Sequence, residues 1–186
     1  MGTQQTRDMR ASRFAALYND AYGDVLRFVR RRAGPHRAED VVHETFLVAW
    51  RRFDDVPSGI GDARAWLFGA ARKCLLNDQR SQTRQGALEV RIAEVTKEIT
   101  DAEDDLIAFH VDLASAWQRL RPEDQEVLAL AIWESLPSPQ AGRVLGISAA
   151  AYRIRLYRAR LALRRALKHT TSTAFDAENS VMEQLT

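Results

Sequence analysis

The chain has 186 residues, enough for one large domain or two small ones. Hydrophobic residues at 46% and charged residues at 28% exclude wholesale disorder, and nine glycines and five prolines exclude collagen-like or low-complexity chains. A single cysteine, Cys74, excludes an internal disulfide framework and a multi-cysteine zinc site. No run of about 18 uncharged apolar residues is present, so no membrane insertion is expected. The polar stretch from Met1 to Arg13 lacks the apolar centre of a secretory leader. The expected setting is reducing and cytoplasmic.

The net charge of +2 conceals an uneven distribution. Arg153, Arg155, Arg158, Arg160, Arg164, Arg165 and Lys168 lie in a stretch without an acid. Arg64, Arg72, Lys73, Arg80 and Arg84 share theirs with Asp78 alone. Between these blocks lies an acidic stretch holding Glu98, Asp101, Glu103, Asp104, Asp105 and Asp112. Two basic blocks suit a polyanionic partner; solvated helix faces would give the same pattern.

Periodicity predicts an all-α chain of two small helical domains joined by a linker. Residues 1–12 are expected to be loose. The spacing of Phe14, Leu17, Tyr18, Tyr22, Val25, Leu26 and Val29 predicts a helix from Arg13 to Arg32. Gly34-Pro35 breaks it. A second helix is expected from Arg37 to Phe53, with Val42, Phe46, Ala49, Trp50 and Phe53 facing inward. Asp54 to Asp62 reads as a loop. A third helix, Ala63 to Arg84, buries Trp66, Leu67, Ala70, Ala71, Cys74 and Leu75, and closes a first domain over 13–84. Residues 85–105 read as a linker with a short helix at Leu88 to Ile99. The second domain, 106–168, has a helix striped by Leu113, Trp117 and Leu120, another over Glu123 to Glu134, and a short one from Pro139 to Leu145. A last helix runs from Ala149 to Lys168, and the tail 169–186 is expected to be loose.

Pro139 to Lys168 has the pattern of a helix-turn-helix. Gly146 supplies a positive φ for the turn, Ile147 plugs the core, and Ser148 caps the next helix. At about 100° per residue Ala149, Tyr152, Leu156, Ala159, Leu163 and Leu167 form one stripe, leaving the cations outside it. Such a helix can enter a major groove, with Arg153 and Arg155 at the bases and Arg158 and Arg160 on the backbone.

Six segments carry a resemblance. Asp40-Val41-Val42-His43-Glu44-Thr45-Phe46, Ala49-Trp50 and Ala65-Trp66-Leu67-Phe68-Gly69-Ala70-Ala71-Arg72 resemble region two of bacterial sigma factors. Leu120 to Val127, Leu145-Gly146-Ile147-Ser148 and Arg155-Leu156-Tyr157-Arg158-Ala159-Arg160 resemble region four. Their order, with no region three between, resembles the extracytoplasmic-function group.

The resemblance implies binding to core RNA polymerase and to promoter DNA. It implies a core-binding surface at Glu39, Asp40, His43, Glu44 and Leu47. The minus-ten element would be held by Ser58, Gly59 and Ile60 of the loop, which captures a flipped base, and by Arg64, Arg72, Lys73 and Arg80. The minus-thirty-five element would meet Ser148, Ala150, Ala151, Arg153, Arg155, Arg158 and Arg160. An anti-sigma protein is a further implied partner, and the free chain is expected to be a monomer. The chain departs from the family pattern at His43 (usually Gln), Gly69 (usually Arg or Lys) and Lys73 (usually Asn). It also replaces a Val-Gly-Thr-Val-Lys-Ser-like run with Ala149 to Ile154, which bears on promoter preference.

Two other classes are compatible with parts of the sequence. A dimeric helix-turn-helix repressor or activator would bind palindromic duplex without the polymerase. An enzyme has little to work with: His36, Asp40, His43 and Glu44 lack metalloprotease spacing, and no phosphate-cradling loop is present. No cofactor, metal site or catalytic residue is expected.

Overall fold

In the computed structural model the backbone is described for residues 2–82 and 104–184, and side chains for 5–78 and 111–168. Among these residues all regular structure is helical. The expected helix at 88–99 lies outside them, as does nearly all of the expected linker.

Helices α1 (Gly2–Ala33), α2 (Pro35–Arg51) and α3 (Ile60–Gln82) pack as one unit. α1 begins well before Arg13, through the stretch expected to be loose. Its early turns have a purpose: the Arg10 guanidinium sits 5.3 Å from the Trp50 ring centre and donates to the Trp50 carbonyl at 2.8 Å. Trp50 was expected to face inward, yet it is 40% exposed and lies at the rim beneath Arg10. Phe28 of α1 and Phe68 of α3, both fully buried, stack at 4.8 Å. Truncating a ring so enclosed costs about 3–5 kcal/mol. Cys74 and Leu75 are buried as expected, and Trp66 packs partly buried against the core.

The loop is shorter than expected. A 3-10 turn covers Phe53–Asp55, and α3 already begins at Ile60. Asp62 therefore lies in the first helical turn, where a carboxylate favours the helix dipole.

Helices α4 (Asp104–Gln118), α5 (Pro122–Ile132), α6 (Ser138–Leu145) and α7 (Ala149–Gln184) build the second unit. Pro122 suits the first turn of α5, where its missing N–H costs nothing. The Gln125 side chain donates to the Trp117 carbonyl at 2.9 Å and ties α5 to α4. Tyr152 is buried, and its hydroxyl donates to the Val127 carbonyl at 3.1 Å, tying α7 to α5. α7 continues to Gln184 instead of ending at Lys168. The added stretch, 169–184, has no Gly or Pro to stop it.

The two units are not merely tethered: α3 packs on α6. Gly69 lies at this contact, where a Cβ would sit at ordinary van der Waals distance, 3.9 Å, from the Val144 Cα. Asp62 accepts from Gln140 at 3.0 Å and also pairs with Arg143. Glu134, 3% exposed, accepts two bonds from Arg31, both at 2.9 Å, and a longer one from Arg32 at 3.5 Å. Arg32 is itself buried, donates to the Phe28 carbonyl at 2.8 Å and lies over the Phe28 ring at 3.6 Å. Burial pulls its pKa down to about 10, against the opposing pull of Glu134.

Candidate nucleic-acid interface

The helix-turn-helix is built as its residues require. Gly146 caps α6 at φ 68°, a left-handed conformation that favours glycine. The N–H of Ile147 reaches back to the Gly142 carbonyl at 2.9 Å. Gly142, one of the poorer helix formers in this segment, is needed: a Cβ there would come within 2.7 Å of the Ile147 carbonyl oxygen. Pro137 and Pro139 flank the first residue of α6, where proline is tolerated. Ser148 caps α7, its Oγ accepting from the Ala151 N–H at 3.1 Å.

On α7, Tyr152 and Ala159 are buried, and Ala149, Leu156 and Leu163 are partly buried. Arg153, Arg155, Arg158 and Arg160 are all exposed, as are Ser148 and Ala150, while Ala151 is half-buried. The Arg-rich face is thus turned away from the body. Burial raises the Tyr152 phenol to about 12, with Arg160 opposing. Apolar residues also stand on the exposed side: Ile154, opposite the packed stripe, is 54% exposed and Tyr157 65%. Neither was among the expected DNA-contacting residues.

The expected minus-ten residues divide. Ser58, Gly59 and Ile60 are exposed, and Ser58 and Ile60 line a cleft of about 190 Å³ with Arg13, Leu17, Phe53 and Val56. Lys73 is exposed on α3. Arg64 is held by Asp24 at 2.6 Å. Arg72 is held by Glu126 of the second unit through two bonds, 2.7 and 3.1 Å. The side chain of Arg80 lies outside the described residues. Arg13 at the cleft, on α1, was not among the expected residues.

On α2, Glu39, Asp40, His43, Glu44 and Leu47 are all exposed, while Ala38, Val41, Val42, Thr45, Phe46 and Ala49 are buried. The first set forms a continuous acidic and apolar outer face. Cys74, beneath this helix, has its thiol pKa raised by burial and then by the Glu44 charge.

Comparison with known proteins now decides the family. The model for Sigma-70 region 2 matches residues 17–85, and that for Sigma-70, region 4 matches residues 110–169. The ECF RNA polymerase sigma factor SigL of Mycobacterium tuberculosis is 30% identical over 164 residues, covering 85% of this chain and 90% of SigL. This chain belongs to the sigma-70 family, in its extracytoplasmic-function (ECF) group. It is a non-catalytic factor of transcription initiation that directs core RNA polymerase to promoters. The repressor alternative is set aside.

The sigma factor BldN of Streptomyces coelicolor is 31% identical over 163 residues, covering 84% of this chain and 61% of BldN. Two solved structures share the fold. CnrH, in complex with the cytosolic domain of CnrY, has a TM-score of 0.57 at 24% identity and covers 88% of this chain and 97% of that one. The sigma factor RpoE of Bartonella quintana, in complex with the anti-sigma factor NepR, has a TM-score of 0.54 at 21% identity and covers 89% and 98%. Among the described residues, no helix of this sigma factor is long and apolar enough to cross a membrane, and no group of three or more His, Cys, Asp or Glu could hold a metal ion.

Proposed function

We propose that this sigma factor divides its work among three surfaces. The outer face of α2, with Glu39, Asp40, His43, Glu44 and Leu47, docks on core polymerase. Its single strongest support is that these five residues are exposed together while the intervening positions pack the core. Exposed Leu47 gives the patch an apolar end, and the acids give it a sign.

The cleft at Ser58 and Ile60, with Gly59 beside it, receives one unstacked base of the minus-ten strand. Arg13 stands at the cleft and Lys73 lies exposed on α3 to meet phosphates, and Arg64, Arg72 and Arg80 complete the basic set. The exposed arginines of α7 hold the minus-thirty-five duplex. Arg72 cannot serve DNA while Glu126 holds it, so promoter engagement requires the two units to part. The free chain is a monomer in the cytoplasm, where the polymerase is. Since RpoE was solved with an anti-sigma factor, an anti-sigma protein is the natural regulator of this fold's closed pairing.

The test of the docking surface is capture by core polymerase. Glu44→Lys should lose most of its capture while keeping wild-type helicity and melting, because Glu44 is exposed. Undiminished capture would place the docking surface elsewhere.

A further inference from the structure

Helix α7 turns an apolar line toward solvent in the middle of its cations. Ala150 and Ile154, one turn apart, are both exposed, on the opposite side of the helix from buried Tyr152 and Ala159. By helix geometry Arg153 and Arg155 stand about 100° to either side of Ile154. Among the described residues, neither arginine is held by an ion pair. The Ser148 Oγ accepts from the Ala151 N–H in the cap, which turns it toward the helix end. The first two turns of the helix therefore present Ala150 and Ile154 to solvent between two positive flanks, with Arg158 one turn further on.

We propose that Ile154 is a specificity residue of the upstream contact and reads thymine through its C5 methyl. The inference rests on the promoter-binding role proposed for α7. The flanking charge says what covers this face: a polyanion with a groove, which is duplex DNA. Within the major groove the thymine methyl is the apolar feature, and the other base edges present donors and acceptors that isoleucine cannot satisfy. Ala150, one turn earlier, lets the helix backbone come close to the base edges. Arg153 and Arg155, directed at the two walls, take phosphates and set register. This reverses the expected order, in which those two arginines met the bases.

The experiment uses the full chain with bacterial core RNA polymerase. Promoters are first selected from a random library. Each thymine of the upstream element is then replaced singly by uracil, which removes only the methyl, and binding is measured for wild type and Ile154→Ala. Wild type should lose about three- to fivefold at one or two positions, the worth of one buried methyl. Ile154→Ala should bind thymine and uracil templates alike at those positions. Wild-type indifference to every methyl, or an upstream element without thymine, overturns the inference while leaving the promoter role standing. Unchanged methyl sensitivity in Ile154→Ala also overturns it, because another residue then reads the methyl. Failure to select any promoter overturns the promoter role itself, and this inference with it.

Discussion

Arg72 and Glu126, fifty-four positions apart in the chain, meet through two parallel hydrogen bonds across the boundary between the helical units. Glu126 is 4% exposed, so its charge depends on that partner. Glu126→Gln keeps the shape and removes the charge. It should shift the chain toward separated units by roughly tenfold or more, the weight of about 1.5–3 kcal/mol for a hydrogen bond to a charged group. Energy transfer between dyes on α2 and α5 measures this. An unchanged distance distribution would show that the pair does not hold the units together.

Gly69 tests the same boundary sterically. A Cβ fits against Val144 at 3.9 Å, so a longer side chain would have to run out past α6 or displace it. Gly69→Arg should therefore drive the units apart more completely than Glu126→Gln, with little change in helicity. Small-angle scattering should show a larger radius of gyration. A compact variant would contradict the packing described.

Gly142→Ala should damage the second unit alone. Its Cβ would meet a backbone oxygen at 2.7 Å, and backbone cannot swing aside as a side chain can. The cost should be about 1–3 kcal/mol, the usual range for overpacking. Urea unfolding should show a lower midpoint, with binding to core polymerase through α2 retained. A neutral substitution would mean that the turn relaxes freely.

Tyr152 sets an alkaline limit. Its phenol rises from 10 to about 12 on folding, so the folded state favours the neutral form. The stability it contributes is whole below pH 10 and is lost as pH climbs from there through 12. That window is worth roughly 2–3 kcal/mol. Tyr152→Phe gives up the bond to Val127, about 1 kcal/mol near neutrality, but should escape the alkaline loss. The stability difference between the two proteins, followed from pH 9 upward, should shrink and then reverse. A constant difference would contradict the shift.

Much of this was legible in the sequence because helices announce themselves by period. The inner stripes of α1 and α7, the turn at Gly146 and the cap at Ser148 follow from spacing and from the conformational demands of single residues. The outer face of α2 was legible for the same reason. What stayed hidden were contacts between units. Glu126 and Glu134 look like solvated acids until the partner helices arrive, and no local period encodes that arrival. Two signals were present: Glu126 directly precedes an apolar run, and Gly69 sits inside a helical pattern, where glycine costs stability unless a neighbour packs against it. Trp50 misled because a ring on the stripe's edge can be covered by a cation from α1 instead of by the core. Ile154 was not legible because an exposed apolar residue among arginines carries no periodic signal of its own.

The most direct measurement is initiation by reconstituted holoenzyme, core RNA polymerase plus this chain, over a library of promoter sequences. A discrete promoter class should emerge with two separated elements, absent with core alone and lost with Glu44→Lys. Core polymerase unaffected by the chain, with the chain instead binding palindromic duplex by itself as a dimer, would contradict the account.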